Sequence, residues 1–531
     1  MFLMRRLTPA LFFMGLAMSV WADGYVTDIS YITGFYRELT PTWLNFAALQ
    51  AGSGAPPPSG FHYADLGCGL GHGTALMAAT HPGGQFHGFD FNPQQIGIAT
   101  RLARRAGLSN VKFVECSFEQ LASDEVGSLP QFDYIVLHGI WAWISETNRR
   151  HILEFIRRKL RTNGIVYVSY NCNVAWMPLS PIQQFMRGYA VGLQGNSDQK
   201  ALAAFGLAKE LNDAGALYFK INPEIGAKLE RAVKNSSAVY LAHEYLNESW
   251  HPASHVDVRA DLAAIKCDYL CSATLVENID QVFWPENARA IFDKIQNPAL
   301  REVAKDLFAN QQFRRDLYIR GRHKLSQVEQ QRAWHEVCLV PNKRPPGDLV
   351  KFRASVGEVT ASADIYGPLI ARLFAEGALS FAAARQMPQL QGKTFNDLTA
   401  AFCVLVHLDI AHPVSGHAAQ DTAGAFNQAA FAQMMDGQDV PFFALPRHGS
   451  GLAMPFVDAA LLASIKKRPD ADAGALIREV WQLFVQAQRR PMRDGKPLMS
   501  EAEAIPTLEN ELGGDFLSDF KTRFKGLGLI D

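Results

Sequence analysis

The residues best suited to chemistry are the run Asp65-Leu66-Gly67-Cys68-Gly69-Leu70-Gly71, which ends in His72-Gly73. A glycine-rich bend between a strand and a helix lets the backbone approach a nucleotide closely and aims free helix N–H groups at polar ligand atoms. The dinucleotide pattern G-x-G-x-x-G is absent, because His72 or Thr74 stands where its last glycine belongs. D-x-G-x-G-x-G stands here instead. An acid on the strand can pair with a cationic amino group, which S-adenosylmethionine carries in its methionine portion and NAD lacks. Asp65, Gly67, Gly69 and Gly71 are therefore the first candidate cofactor contacts. Asp90, with Phe91 beside it, ends a second apolar segment and offers an acceptor-only carboxylate for two ribose hydroxyls. Ser117-Phe118 follows a third such segment, where an adenine edge and face would be met.

Positioning these groups requires a particular scaffold. Segments 61–64, 85–90, 111–115, 132–137 and 164–169 read as strands, and 74–79 and 93–106 as helices. Segment 146–160 is amphipathic, with Ile152, Phe155, Ile156 and Leu160 at helical spacing. Strands alternating with helices predict an α/β fold with a parallel, helix-covered sheet and ligands at the carboxyl ends of its strands.

Residues from about 25 to 189 resemble a class I S-adenosylmethionine-dependent methyltransferase with a Rossmann-like sheet. Phe132-Asp133-Tyr134-Ile135-Val136-Leu137-His138-Gly139-Ile140-Trp141-Ala142-Trp143-Ile144 and Tyr167-Val168-Ser169-Tyr170-Asn171 narrow the likeness to bacterial enzymes carrying a methyltransferase regulatory domain. Tyr240-Leu241-Ala242-His243-Glu244-Tyr245-Leu246-Asn247 and Phe313-Arg314-Arg315-Asp316 extend it to about residue 323. Two departures stand out: Asn173-Val174-Ala175 precede Trp176 where the family continues toward Pro-Gly-Trp, and Ser117 replaces an acid common after the third strand. Some of these relatives methylate lysines of outer-membrane proteins. The resemblance thus implies protein-lysine methylation in the cytoplasm, with an outer-membrane protein before export as one substrate. It also implies that an N-terminal segment bearing Tyr31 and Tyr36 folds over the cofactor. A small-molecule methyltransferase and a non-catalytic cofactor-binding regulator are the alternatives.

For the acceptor, His138 and Asn171 are the polar groups at the ends of the fourth and fifth strands, and Trp141, Trp143 and Tyr170 offer aromatic faces for a sulfonium. His138 or Tyr170 would relay the proton that a lysine ammonium must lose. Trp141 and Trp143 also read as packing, and His138 as a structural or cofactor-backbone contact. His243, Glu244, His251 and His255 match no standard helix-borne zinc spacing and read as surface loop residues, so no metal is expected.

At 531 residues, 48% hydrophobic and with a net charge of −1, the chain reads as a globular protein of several domains with no global pull toward nucleic acid. The expected division is 1–22 as a leader or misassigned start, 23–180 as the cofactor-binding domain, and 181–323 as a mainly helical regulatory or lid region that completes the sheet or pairs two copies. A linker at 341–346 would open a C-terminal α+β domain, winged-helix-like, over 340–531 for substrate recognition. Arg5-Arg6 and the apolar run 11–20 form a signal-like pattern. It is too short for a firm membrane span. S-adenosylmethionine is made in the cytosol, and Met18 offers an internal start, so stable membrane insertion is not expected.

Overall fold

The computed structural model describes residues 24–30, 33–345, 351–354, 357–414, 420–438 and 442–530. The signal-like stretch 1–22 and Tyr31 lie outside the described residues. Seven strands form the central sheet: β1 (His62–Leu66), β2 (Gln85–Asp90), β3 (Val111–Glu115), β4 (Phe132–Leu137), β5 (Leu160–Asn171), β6 (Cys267–Ser272) and β7 (Phe313–Arg320). Their order is β3-β2-β1-β4-β5-β7-β6. The first five pair in parallel, and β7 runs antiparallel to β5 and β6. A Rossmann-like sheet therefore organises the chain, and its last two strands come from the region expected to be regulatory.

Local sequence explains these elements. Phe132-Asp133-Tyr134-Ile135-Val136-Leu137 is buried throughout, as a central parallel strand covered on both faces must be. Helices α1 (Pro41–Gln50), α2 (His72–Thr80), α3 (Pro93–Arg105), α4 (Phe118–Ser123) and α5 (Glu146–Lys159) follow. Asn92 caps α3 by accepting from the Gln94 and Gln95 N–H groups, with Pro93 opening the first turn. Ile152, Phe155 and Ile156 are the buried face of α5, while its basic residues stay outside.

The chain separates into two compact units. Among the described residues, one comprises 24–30, 143–145 and 176–251, and the other 33–142, 146–175 and those of 252–530. In the first, helices Ser180–Val191, Ser197–Asp213, Pro223–Asn235 and Ala238–Tyr245 dominate. The Val26 N–H donates to Asn247 Oδ1 at 3.0 Å there, and Trp176 and Phe205 pack on Tyr245. The described residues of 252–530 share one unit with the sheet. Trp43, Phe46, Tyr134 and Tyr167 form one apolar cluster with Leu369, Phe381, Phe402 and Leu405. A second cluster joins Leu76 of α2 and Leu102 of α3 to Phe426, Leu461 and Val480. The strand Cys338–Pro341 pairs with Leu379–Ser380 and Ala411–Pro413. The expected linker at 341–346 thus begins inside a strand. No helix among the described residues is long and apolar enough to cross a membrane.

Candidate active site

Gly67, Gly69 and Gly71 all adopt left-handed conformations, with φ of 76°, 56° and 66°. Two of them are also crowded, Gly67 by the movable end of Ile140 and Gly71 by the rigid Ala99 and Phe113. A Cβ on Gly67 would lie 2.4 Å from the Ile140 side chain, and one on Gly71 would lie 2.4 Å from Ala99. At Gly69 the nearest atom, Gln95 Oε1, would be 3.7 Å away, an ordinary van der Waals contact, so sterics alone would admit a Cβ there. Asp65 is buried and accepts from the Thr74 hydroxyl, with no cation in ion-pair reach among the described residues. Burial raises its pKa to about 6. Such an acid lacks a positive partner, which the amino group of S-adenosylmethionine would provide.

Asp90 closes the bend from β2. Its two oxygens accept from the Gly69 and Asn92 N–H groups, each at 2.9 Å, which fixes the carboxylate while leaving lone pairs for two hydroxyls. Phe91 follows it directly. Ser117 is the N-cap of α4, its hydroxyl accepting from the Gln120 N–H at 3.2 Å. That hydroxyl thus already serves a capping box, and Phe118 begins the helix beside it. The residues present fit the expected cofactor.

An aromatic cluster lies at the carboxyl end of β4, beside β5. His138 Nδ1 is 2.9 Å from the Tyr167 hydroxyl and 3.1 Å from Ser169 Oγ. Hydroxyls satisfy either tautomer, by donating to an unprotonated Nδ1 or accepting from a protonated one. Tyr36 covers the imidazole at a centroid distance of 3.8 Å, and Phe313 meets it edge-on at 5.6 Å. Burial, reinforced by the Arg315 guanidinium, lowers the His138 pKa to about 3. The ring is neutral at physiological pH.

Tyr36 is brought over the cluster by anchors on both sides. The Tyr63 hydroxyl donates to the Leu39 carbonyl at 2.9 Å, and the Tyr134 hydroxyl donates to Asn45 Oδ1 at 2.8 Å. Arg37 donates to the His407 carbonyl at 2.6 Å and pairs with Asp409, while its guanidinium lies 4.8 Å from the Trp43 ring. Residues far apart in sequence thus hold the segment that Tyr36 begins.

Not all expected groups meet. β5 runs on to Asn171, so Tyr170 lies within a strand and points away from Tyr167 and Ser169. Its hydroxyl donates to Asp316 at 2.7 Å, on the face opposite His138. The proton relay expected of Tyr170 is corrected accordingly. Asn171 shares the face of Ser169 by alternation and is buried. Trp141 is enclosed at 2% exposure, and Trp143 at 6% belongs to the helical unit. His243 and His255 are not surface loop residues as expected: both lie on helices and are buried. His255 Nδ1 sits 2.9 Å from Asp316. No group of three or more metal-ligating side chains gathers among the described residues.

Tyr167, Ser169, Phe313 and Arg315 are the residues at the cluster that sequence reasoning missed. Counting back by twos from Asn171 along an apolar strand would have found the first two. β7 hid the others. Arg314 and Asp316 look like surface charge, yet they belong to a buried network in which Arg314 also reaches Asp306 at 2.6 Å and Glu302 at 2.9 Å.

A methyltransferase-domain family model matches residues 58–210, and a model described as a predicted methyltransferase regulatory domain matches residues 237–320. The uncharacterized protein sll1526 of Synechocystis sp. is 33% identical over 502 residues, covering 92% of this chain and 96% of its own. A second relative, RP028 of Rickettsia prowazekii, is 29% identical over 223 residues, which is 42% of this chain and 86% of that protein. Among solved structures, PKMT2 from Rickettsia typhi in complex with AdoHcy aligns with a TM-score of 0.66 at 17% identity, covering 94% of this chain and 99% of that one. That last likeness is one of fold.

Proposed function

We propose that this chain, which belongs to the S-adenosylmethionine-dependent methyltransferases carrying a methyltransferase regulatory domain, methylates lysine side chains of a protein substrate. The observation that carries the reading is the aromatic cluster of Tyr36, Tyr167 and Phe313 around an uncharged His138. It favours an uncharged amine over a hydrated ammonium. Support for a polypeptide acceptor comes from the likeness to protein-lysine methyltransferases and from the fold shared with PKMT2 over 94% of the chain. The proposed substrate is an outer-membrane protein before export, modified in the cytoplasm, with 179–235 serving as a lid or as the contact in a homodimer.

S-adenosylmethionine supplies an electrophilic methyl on a sulfonium. Asp65 would hold its amino group, Asp90 its ribose, and Ser117-Phe118 its adenine. Tyr36, Tyr167 and Phe313 exclude water from the approach of the acceptor. Deprotonating an ordinary lysine at neutral pH costs about 4–5 kcal/mol. Burial and the positive charge of the sulfonium would both lower the amine's pKa and reduce that cost.

Incubating the purified protein with methyl-labelled S-adenosylmethionine and a cell-envelope extract, then locating the label by mass spectrometry, tests the proposal. Label on lysine is expected. Label confined to small molecules favours metabolite methylation, and cofactor binding without transfer favours a regulatory protein.

A further inference from the structure

One cation at the aromatic cluster has no acid. Arg315 stands opposite Ser169 in the β5–β7 register, so its side chain shares the face of Ser169, whose hydroxyl is 3.1 Å from His138. Its guanidinium lies 5.2 Å from the Phe313 ring centroid. That ring is in turn 5.6 Å from His138. Arg315 Nε is buried without a hydrogen-bond partner, and no carboxylate lies in ion-pair reach of this guanidinium among the described residues. The neighbouring charges are otherwise engaged. Arg314 binds Asp306, Glu302 and Asp316 on the opposite face, Arg37 pairs with Asp409, and the nearest cation to Glu38 is Arg37 at 3.9 Å.

A guanidinium carries five donors in a planar fork that matches a carboxylate. Fixed beside the aromatic cluster with an unmatched buried edge, such a group is arranged for an anion from outside the chain. We propose that Arg315 binds a carboxylate of the methyl acceptor, so that the target lysine lies next to an aspartate or glutamate in the substrate polypeptide. The inference rests on the lysine reading above and adds a specificity determinant to it. Charge neutralisation explains the chemistry. The sulfonium and Arg315 would place two positive charges near the acceptor, and a flanking carboxylate compensates that of Arg315 without occupying the amine's own path.

The test uses fluorescent peptides with one lysine flanked by Glu or by Gln, together with free lysine. Binding to the AdoHcy-loaded protein is read by anisotropy, and methyl transfer is followed on the same ligands. The Glu peptide is expected to bind at least tenfold more tightly than the Gln peptide. Arg315→Gln should abolish that preference, and Arg315→Lys should retain part of it. AdoHcy titration of each variant confirms a folded cofactor site. Equal binding of the two peptides, or a preference that survives Arg315→Gln, overturns the inference. Stronger binding of free lysine assigns the carboxylate to a small-molecule acceptor and overturns it as well. Acid-dependent, Arg315-dependent binding without transfer supports the carboxylate site while contradicting the lysine reading.

Discussion

The Tyr36 ring rests on the His138 imidazole with centroids 3.8 Å apart and planes inclined by 31°. The next residue, Arg37, is held by Asp409 and the His407 carbonyl, 370 positions and more away in sequence. The segment that carries Tyr36 over His138 is therefore held by the C-terminal region. Arg37→Ala or Asp409→Ala should lower kcat/KM about 10- to 100-fold by letting Tyr36 drift. The half-exposed pair should change stability by only about 1 kcal/mol. Paired kinetic and thermal measurements would separate the two effects; a fall in activity that merely tracks unfolding would refute the positioning role.

Tyr167 and Tyr170 are three positions apart on one strand and should respond differently to loss of the hydroxyl. Tyr170→Phe removes the 2.7 Å bond to Asp316, a carboxylate that burial would raise but the Arg314 guanidinium holds down at about 2. A destabilisation of about 1–3 kcal/mol is expected, with turnover by the folded fraction little changed. Tyr167→Phe instead frees one partner of His138 and should act on kcat. Denaturant titration beside steady-state rates decides this; the reverse pattern would place Tyr170 in the chemistry.

Within the glycine bend, Gly71→Ala meets both a left-handed φ and a 2.4 Å clash with Ala99, whereas Gly69→Ala meets only the φ. Gly69→Ala should cost about 1–2 kcal/mol of stability and weaken cofactor binding. Gly71→Ala should fail to fold or lose several times as much. Equal melting temperatures for the two variants would show the bend to be more pliable than its packing indicates.

Acidification acts on buried histidines. Burial lowers His72 and His412 to about 4 and His448 to about 3. Each binds protons more readily in the unfolded chain, where its pKa is about 6.5, so stability is full above that value and is lost as pH falls toward 3–4. At pH 5 each contributes up to about 2 kcal/mol of destabilisation. The melting temperature should drop between pH 7 and pH 5, less steeply in His448→Asn. A flat profile would contradict the buried, neutral assignment.

Asp65 has the opposite sign. Its folded pKa of about 6 lies above the ordinary carboxylate value, and a cofactor amino group would pull it down again. Binding of AdoHcy near pH 6 should therefore release a fraction of a proton, and affinity should rise between pH 5 and pH 7. Calorimetry in buffers of different ionisation enthalpy reads this directly. Asp65→Asn should abolish the release, and a release that persists would assign the proton elsewhere.

The cofactor half of the site was legible because its residues are contiguous: Asp65 to Gly71 and Asp90 each sit at the end of a strand with a clear apolar pattern. The acceptor half was less so. Tyr170 looked equivalent to Asn171 because β5 was expected to stop at Ser169, whereas antiparallel pairing with Phe313 and Arg314 carries it two residues further. Arg315 hid in a charged run whose burial depends on partners from 255 to 306. The packing of Leu405 and Phe402 with Trp43 depends on contacts more than 350 residues apart, which no local pattern encodes.

The central claim is that the bend from Asp65 to Gly71 and the Asp90 carboxylate hold S-adenosylmethionine. Titrating AdoHcy into the purified wild-type protein and into Asp90→Ala tests it most directly. Saturable one-to-one binding is expected, weakened at least tenfold in the variant, while the free variant still unfolds cooperatively with a loss of about 1–3 kcal/mol for its two missing hydrogen bonds. No binding by the wild type, or equal affinity in both proteins, would contradict it.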